Sequence, residues 1–260
     1  MNLKLSKNDL FLPSLLFVCF FSTGCSINNE TSLVFPGSTT IIKYQLDWQK
    51  DNFLKRIKEF KSRPIGESKI VFLGNSITYG LRHWNKSFGT DNIVNRGISG
   101  DISNGILNRL DEIIFYKPIA VFLLIGINDF FDDNSSRPER TPEYVAKNIL
   151  LAAKIIKTGS PQTKVFIQTI LPINNQQYLD DKPDYQFLYP DYPSINDQIN
   201  KTNEIILKDN DFKIIDLHPH FLDKDHKLLR KLSTDGVHLN AQGYQKLVNI
   251  LKPFIDSVNK

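Results

Sequence analysis

Five short apolar runs with helical stretches between them limit this sequence to few architectures. "KIVFL" (69–73), "NIVN" (92–95), "IAVFLLIG" (119–126), "KVFIQTI" (164–170) and "KIIDL" (213–217) read as strands. Several are apolar without interruption, as strands covered on both faces of a parallel sheet tend to be. Between them the period changes to that of a helix. From Asp47 to about Lys61, Phe53, Leu54, Ile57 and Phe60 share one helical face. Asp101 is expected to cap a helix whose apolar residues are Ile102, Ile106, Leu110, Ile113 and Ile114. Thr141-Pro142-Glu143 opens another helix that Gly159 closes, and Asn240 can cap a helix that turns Tyr244, Leu247, Val248 and Leu251 inward. Such alternation predicts an open doubly wound α/β sheet, with ligands bound outside the carboxyl ends of its strands.

The first residues have a different logic. Lys4 and Lys7 precede an apolar stretch from Leu10 to Phe21, and small residues then lead to Cys25. That is the layout of an export signal, and the stretch is shorter than the roughly 20 residues a membrane-spanning helix needs. "STGC" (22–25) resembles a bacterial lipoprotein processing site, which implies a signal peptide over 1–24 and lipid attachment at Cys25. The expected product is an exported, membrane-anchored protein of the bacterial cell envelope. Residues 25–43 read as a tether and 44–260 as one catalytic-size domain. Cys19 and Cys25 are the only cysteines, so the domain has no disulfide, thiol nucleophile or thiolate metal site. A net charge of +4 gives no reason to expect nucleic acid as a partner.

Ser76 stands where the first strand gives way, in "VFLGNSITYG" (71–80). A serine hydroxyl is a weak nucleophile that needs a base, an acid to orient it and donors for the developing oxyanion. "STDGVHLN" (233–240) supplies Asp235 and His238 just ahead of the final helical pattern. A short turn there can bring the carboxylate to one ring nitrogen and leave the other free for Ser76. The same Asp-x-x-His spacing also describes an aspartate capping a turn beside a surface histidine. Two more strand ends carry "NRGISGD" (95–101) and "IGIND" (125–129), where Gly100 offers a backbone N–H and Asn128 a side-chain amide. Each is an ordinary turn residue when taken singly; their convergence with Ser76 on one side of a parallel sheet is what points to chemistry.

"FLGNSIT", "NRGISGD", "IGIND" and "DGVHLN" resemble, in order, the four signature blocks of the GDSL or SGNH hydrolase family. The resemblance implies a flavodoxin-like three-layer α/β/α sandwich with a five-stranded parallel sheet. It implies Ser76 as nucleophile, His238 as base and Asp235 as orienting acid. Gly100 and Asn128 would join the Ser76 backbone N–H in the oxyanion hole, with no cofactor and no metal. Asn75 departs from the family's aspartate, at a position outside those five roles. Thr78 breaks the Gly-x-Ser-x-Gly frame, which argues against the larger α/β-hydrolase fold.

The blocks are most similar to the platelet-activating-factor-acetylhydrolase-like branch and to bacterial esterases that deacetylate glycans. Residues 173–194 follow the fourth strand and carry Tyr178, Tyr185, Phe187, Tyr189 and Tyr192. Read as a loop on the catalytic side, they suit sugar rings; they equally suit packing over a sheet edge. Trp84, Tyr185 and Tyr189 are the candidate substrate contacts. His218 and His220 form an apparent pair without a third ligand, and His83 and His226 read as surface residues. The expected activity is hydrolysis of short acyl esters, acetyl first, on an acylated small molecule or carbohydrate. The alternatives are a lysophospholipase or thioesterase of the same family, or a non-catalytic surface lipoprotein that binds glycans.

Overall fold

Strand order around the sheet is β2-β1-β3-β4-β5, all parallel, in a computed structural model that describes residues 34–131, 139–187 and 193–259. Along the chain come α1 (Asp47–Ser62), β1 (Ile70–Gly74), α2 (Ser76–Gly80), α3 (Trp84–Phe88) and β2 (Ile93–Gly97). They are followed by α4 (Ser103–Leu107), α5 (Asp111–Tyr116), β3 (Ala120–Leu124), α6 (Pro142–Gly159) and β4 (Lys164–Gln168). Then come α7 (Asn175–Asp181), α8 (Ile195–Leu207), β5 (Lys213–Ile215) and α9 (Ala241–Val258). This is the doubly wound three-layer sandwich expected from the apolar runs.

Side-chain alternation divides the sheet's residues between two cores. Val71, Leu73, Val121, Leu123, Val165 and Ile167 meet α4, α5, α6 and α8. Ile70, Phe72, Phe122 and Phe166 face the other way, onto α3 and α9. In-register pairing of the central strands stacks Phe72 on Phe122 and Phe122 on Phe166, with ring centroids 5.1 and 4.6 Å apart. Both faces are therefore dry, which is why the strands read as continuous apolar runs.

Three expectations need correction. Residues 34–43 belong to the folded unit instead of a tether: Phe35 and Ile42 are buried with Phe53, Ile57 and Phe60 of α1 in a third cluster. Residues 34–43 therefore belong with the domain expected to start at residue 44. Asp101 does not cap one long helix; the segment forms α4 and α5 with a break between them. The break lets Arg109 turn inward, where it pairs with Asp101 and donates to the carbonyls of Arg96 and Gly74. Residues 173–194 are not simply a loop, because Asn174 caps α7 by accepting from the Gln177 N–H. Cys25, the signal segment, Tyr189 and Tyr192 lie outside the described residues. Among the described residues no helix is long and apolar enough to cross a membrane.

Candidate active site

Gly74 ends β1 and Ser76 begins α2, with the Asn75 side chain accepting from the Ile77 N–H at 3.0 Å. This local cap fixes the turn, so asparagine performs it without the aspartate of the family pattern. Gly74 is required by space: a Cβ there would lie 2.2 Å from the Leu124 carbonyl oxygen of β3. On the far side Tyr244 of α9 donates to the Ile77 carbonyl at 2.8 Å. The serine thus rests on a braced turn at the carboxyl edge of the sheet, and it is 9% exposed.

His238 approaches from a loop that arrives 162 residues later; its Nε2 is 3.0 Å from Ser76 Oγ. Its Nδ1 is 2.6 Å from Asp235 Oδ2. The other carboxylate oxygen, Oδ1, accepts from the backbone N–H groups of Val237 and His238 at 2.9 and 2.8 Å. The two readings of Asp-x-x-His are therefore both true, one for each oxygen. Burial alone would raise the Asp235 pKa. The hydrogen bonds from the His238 ring and from the two backbone amides overcome that, and hold the carboxyl well below the usual range. The loop closes on itself through Thr234 N–H to His238 O at 2.9 Å and Gly236 N–H to Ser233 Oγ at 2.8 Å. Gly236 has φ +88° and lies so near Asn174 that a Cβ would meet its carbonyl oxygen at 2.3 Å. Only glycine lets the loop seat there.

Gly100 and Asn128 border the same cleft, of about 690 Å³, as Ser76 and His238. Asn128 lies in a 3₁₀ turn after β3 and donates one amide hydrogen to the Asp101 carbonyl at 2.8 Å. An amide nitrogen has two hydrogens, so this bond fixes the side chain and leaves the second available to a ligand. Next to it, Asp129 is buried and accepts from Ser103 N–H at 2.9 Å and Ser103 Oγ–H at 2.7 Å. Burial pushes its carboxyl up to about 6. Asp129 and the Asp101–Arg109 pair tie together the ends of β1, β2 and β3, the three strands that supply Ser76, Gly100 and Asn128. Sequence reading missed this scaffold, since a buried carboxylate beside a functional residue has no distinctive spacing.

Of the candidate substrate contacts, Tyr185 lines the cleft. Trp84 does not: it is 3% exposed, stacks on Phe72 with ring centroids 4.2 Å apart, and donates its indole N–H to the Thr78 carbonyl at 3.0 Å. An α3 side chain facing the sheet becomes core. Leu46, Trp48, Phe131, Tyr178 and Lys182 complete the walls, and of these only Tyr178 had been singled out by sequence. The walls beside the glycines and asparagines of the strand ends are thus partly apolar. Among the described residues no group of three or more His, Cys, Asp or Glu side chains is placed to hold a metal ion.

A sequence model of the GDSL-like lipase/acylhydrolase family matches residues 72–246, from β1 into α9. The rat platelet-activating factor acetylhydrolase IB subunit alpha2 is 25% identical over 195 residues, which cover 73% of this chain and 76% of that protein. Among solved structures, a GDSL-like lipase from Bacteroides thetaiotaomicron superposes with a TM-score of 0.63 at 23% identity, covering 79% of this chain and 98% of its own. An acetyl xylan esterase, AlAXEase, superposes with a TM-score of 0.56 at 23% identity, covering 72% of this chain and 99% of its own.

Proposed function

This chain belongs to the GDSL-like lipase/acylhydrolase family, and we propose that it is an exported serine esterase that removes short acyl groups, acetyl first, from carbohydrate. The observation that carries the serine mechanism is the continuous chain Ser76 Oγ, His238 Nε2, His238 Nδ1, Asp235 Oδ2, with separations of 3.0 and 2.6 Å. Ser76 Oγ attacks the ester carbonyl carbon while His238 Nε2 takes its proton. The carbonyl electron pair moves onto oxygen, where the Ser76 and Gly100 backbone N–H groups and the free Asn128 amide hydrogen stabilise it. Collapse expels the alcohol, which receives the proton from His238. Water then repeats the sequence on the acyl-serine, with His238 as base, and releases the acid. Asp235 stays ionised throughout, orienting the ring and stabilising its cationic form.

Acetyl is favoured by the names of the relatives, an acetylhydrolase and an acetyl xylan esterase. The apolar cleft walls favour a second reading, a hydrolase of longer acyl chains. Acyl esters of one alcohol, graded from acetyl to octanoyl, separate the two. The proposed activity gives a kcat/KM that falls with length, whereas a chain-binding enzyme gains about 0.8 kcal/mol of binding per buried methylene. A fluorophosphonate probe should label Ser76, and Ser76→Ala should lose both labelling and turnover; retained turnover refutes the mechanism. Anchoring through acyl chains on Cys25 is tested by Cys25→Ser, which should no longer partition with membranes.

A further inference from the structure

Trp48 is the largest apolar side chain of the cleft and belongs to α1, 24 residues ahead of the segment that the family model matches. We propose that Trp48 is a substrate-recognition residue, whose indole takes the face of a sugar ring of the acylated carbohydrate; this rests on the carbohydrate reading above. Three observations support it. Trp48 is 52% exposed, although it is a large aromatic side chain in the same cleft as Ser76. Its ring lies against Gly100, where a Cβ would come within 2.3 Å of Trp48 Cζ3, so the indole borders the position at which the oxyanion forms. Its base is fixed: Gln49 is buried and its Oε1 accepts from the Leu46 N–H at 2.8 Å, which holds the first turn of α1 in place.

The cleft also carries polar groups that a sugar can use. Tyr178 and Tyr185 are edge-to-face, with centroids 5.0 Å apart, and Lys182 Nζ sits 4.2 Å from the centre of the Tyr178 ring. Together with Ser99 and Asn128 they interleave polar groups with aromatic faces around the serine. A pyranose has apolar C–H faces and a polar rim of hydroxyls, so it uses both kinds of group. An alkyl chain would use the apolar faces alone.

The chain's two tryptophans make the test direct, because Trp84 is buried in the core. Ser76→Ala protein would be titrated with acetylated xylo-oligosaccharides while indole emission is followed. A saturable blue shift is expected, and it should vanish in Ser76→Ala/Trp48→Phe, which retains only Trp84. In the enzyme with Ser76 intact, Trp48→Ala should lower kcat/KM for the acetylated oligosaccharide about tenfold more than for an aryl acetate, equivalent to about 1.4 kcal/mol. Trp48→Tyr should recover part of the difference. Binding or hydrolysis of the oligosaccharide with silent Trp48 emission, or equal losses on both substrates, overturns the role of Trp48 and leaves the carbohydrate reading standing. Hydrolysis of the aryl acetate without any binding of the oligosaccharide overturns both.

Discussion

Replacing Asp129 by asparagine should change how stability depends on pH more than it changes the fold. Burial raises the Asp129 carboxyl to about 6, against 3.8 for an unperturbed aspartate. Below pH 3.8 both folded and unfolded chains hold this proton. Between 3.8 and 6 the folded chain keeps it while the unfolded chain has lost it, so stability falls as pH rises through that window. The gap of about two pH units corresponds to roughly 3 kcal/mol, lost by about pH 6 and constant above it. Asparagine can keep the geometry: its oxygen accepts from Ser103 N–H, and its amide donates to Ser103 Oγ in place of the present O–H donation. His218 acts in the opposite sense, because burial lowers its pKa and acid therefore weakens the fold through it. The informative quantity is thus the difference between variant and wild type. Urea unfolding at pH 4, 5, 6 and 7, with constant m-values, should show Asp129→Asn gaining about 2 kcal/mol on wild type from the lowest pH to the highest, because part of the change has already occurred by pH 4. A difference that does not vary with pH would refute the reasoning.

Four further outcomes are expected. Asn128→Ala should lower kcat about 10²–10³-fold with KM little changed, as loss of one oxyanion donor does; a change confined to KM would contradict that role. Gly100→Ala should reduce both Tm and turnover, because the residue sits at φ +80° and its new methyl must displace the Trp48 ring. Arg109→Ala leaves the Asp101 carboxylate buried without its partner, and should cost about 3–5 kcal/mol in chemical denaturation, with no rescue by Arg109→Lys. Because hydrogen bonds hold Asp235 well below the usual carboxylate range, the acid limb of log kcat/KM against pH should have a slope of one; a slope of two would mean that a second group titrates.

Sequence exposed the sheet because burial on both faces writes itself into composition: "IAVFLLIG" tolerates no polar position where α6 and α9 cover the two sides. Ser76, Asp235 and His238, which the structure brings together, were legible because a serine mechanism demands particular residue types at strand ends and in a turn. Features that depend on shape were hidden. Trp84 and Trp48 are the same amino acid, yet one stacks on Phe72 and the other stands in the cleft. One signal was available for Trp48: it lies five residues before Phe53, about 140° around the helix from that member of the apolar stripe. Phe35 and Ile42 were lost in a polar stretch because two isolated apolar residues show no period. The break between α4 and α5 could not be read either, since Arg109 leaves the helix for three acceptors that only the folded sheet assembles.

The 162 residues between Ser76 and His238 also set a clock. Synthesis proceeds from the amino end, so Ser76 leaves the ribosome long before His238, its proposed base, has been translated, and when the fifth strand emerges His238 has not. Under the proposed mechanism, a nascent chain at that stage carries an unarmed hydroxyl that does not attack esters. By the same proposed mechanism, even a complete chain stays inert until the loop bearing Asp235 and Gly236 seats against Asn174. The first appearance of ester hydrolysis during refolding therefore marks the docking of that loop, a late, long-range event that spectroscopic signals of sheet formation would precede.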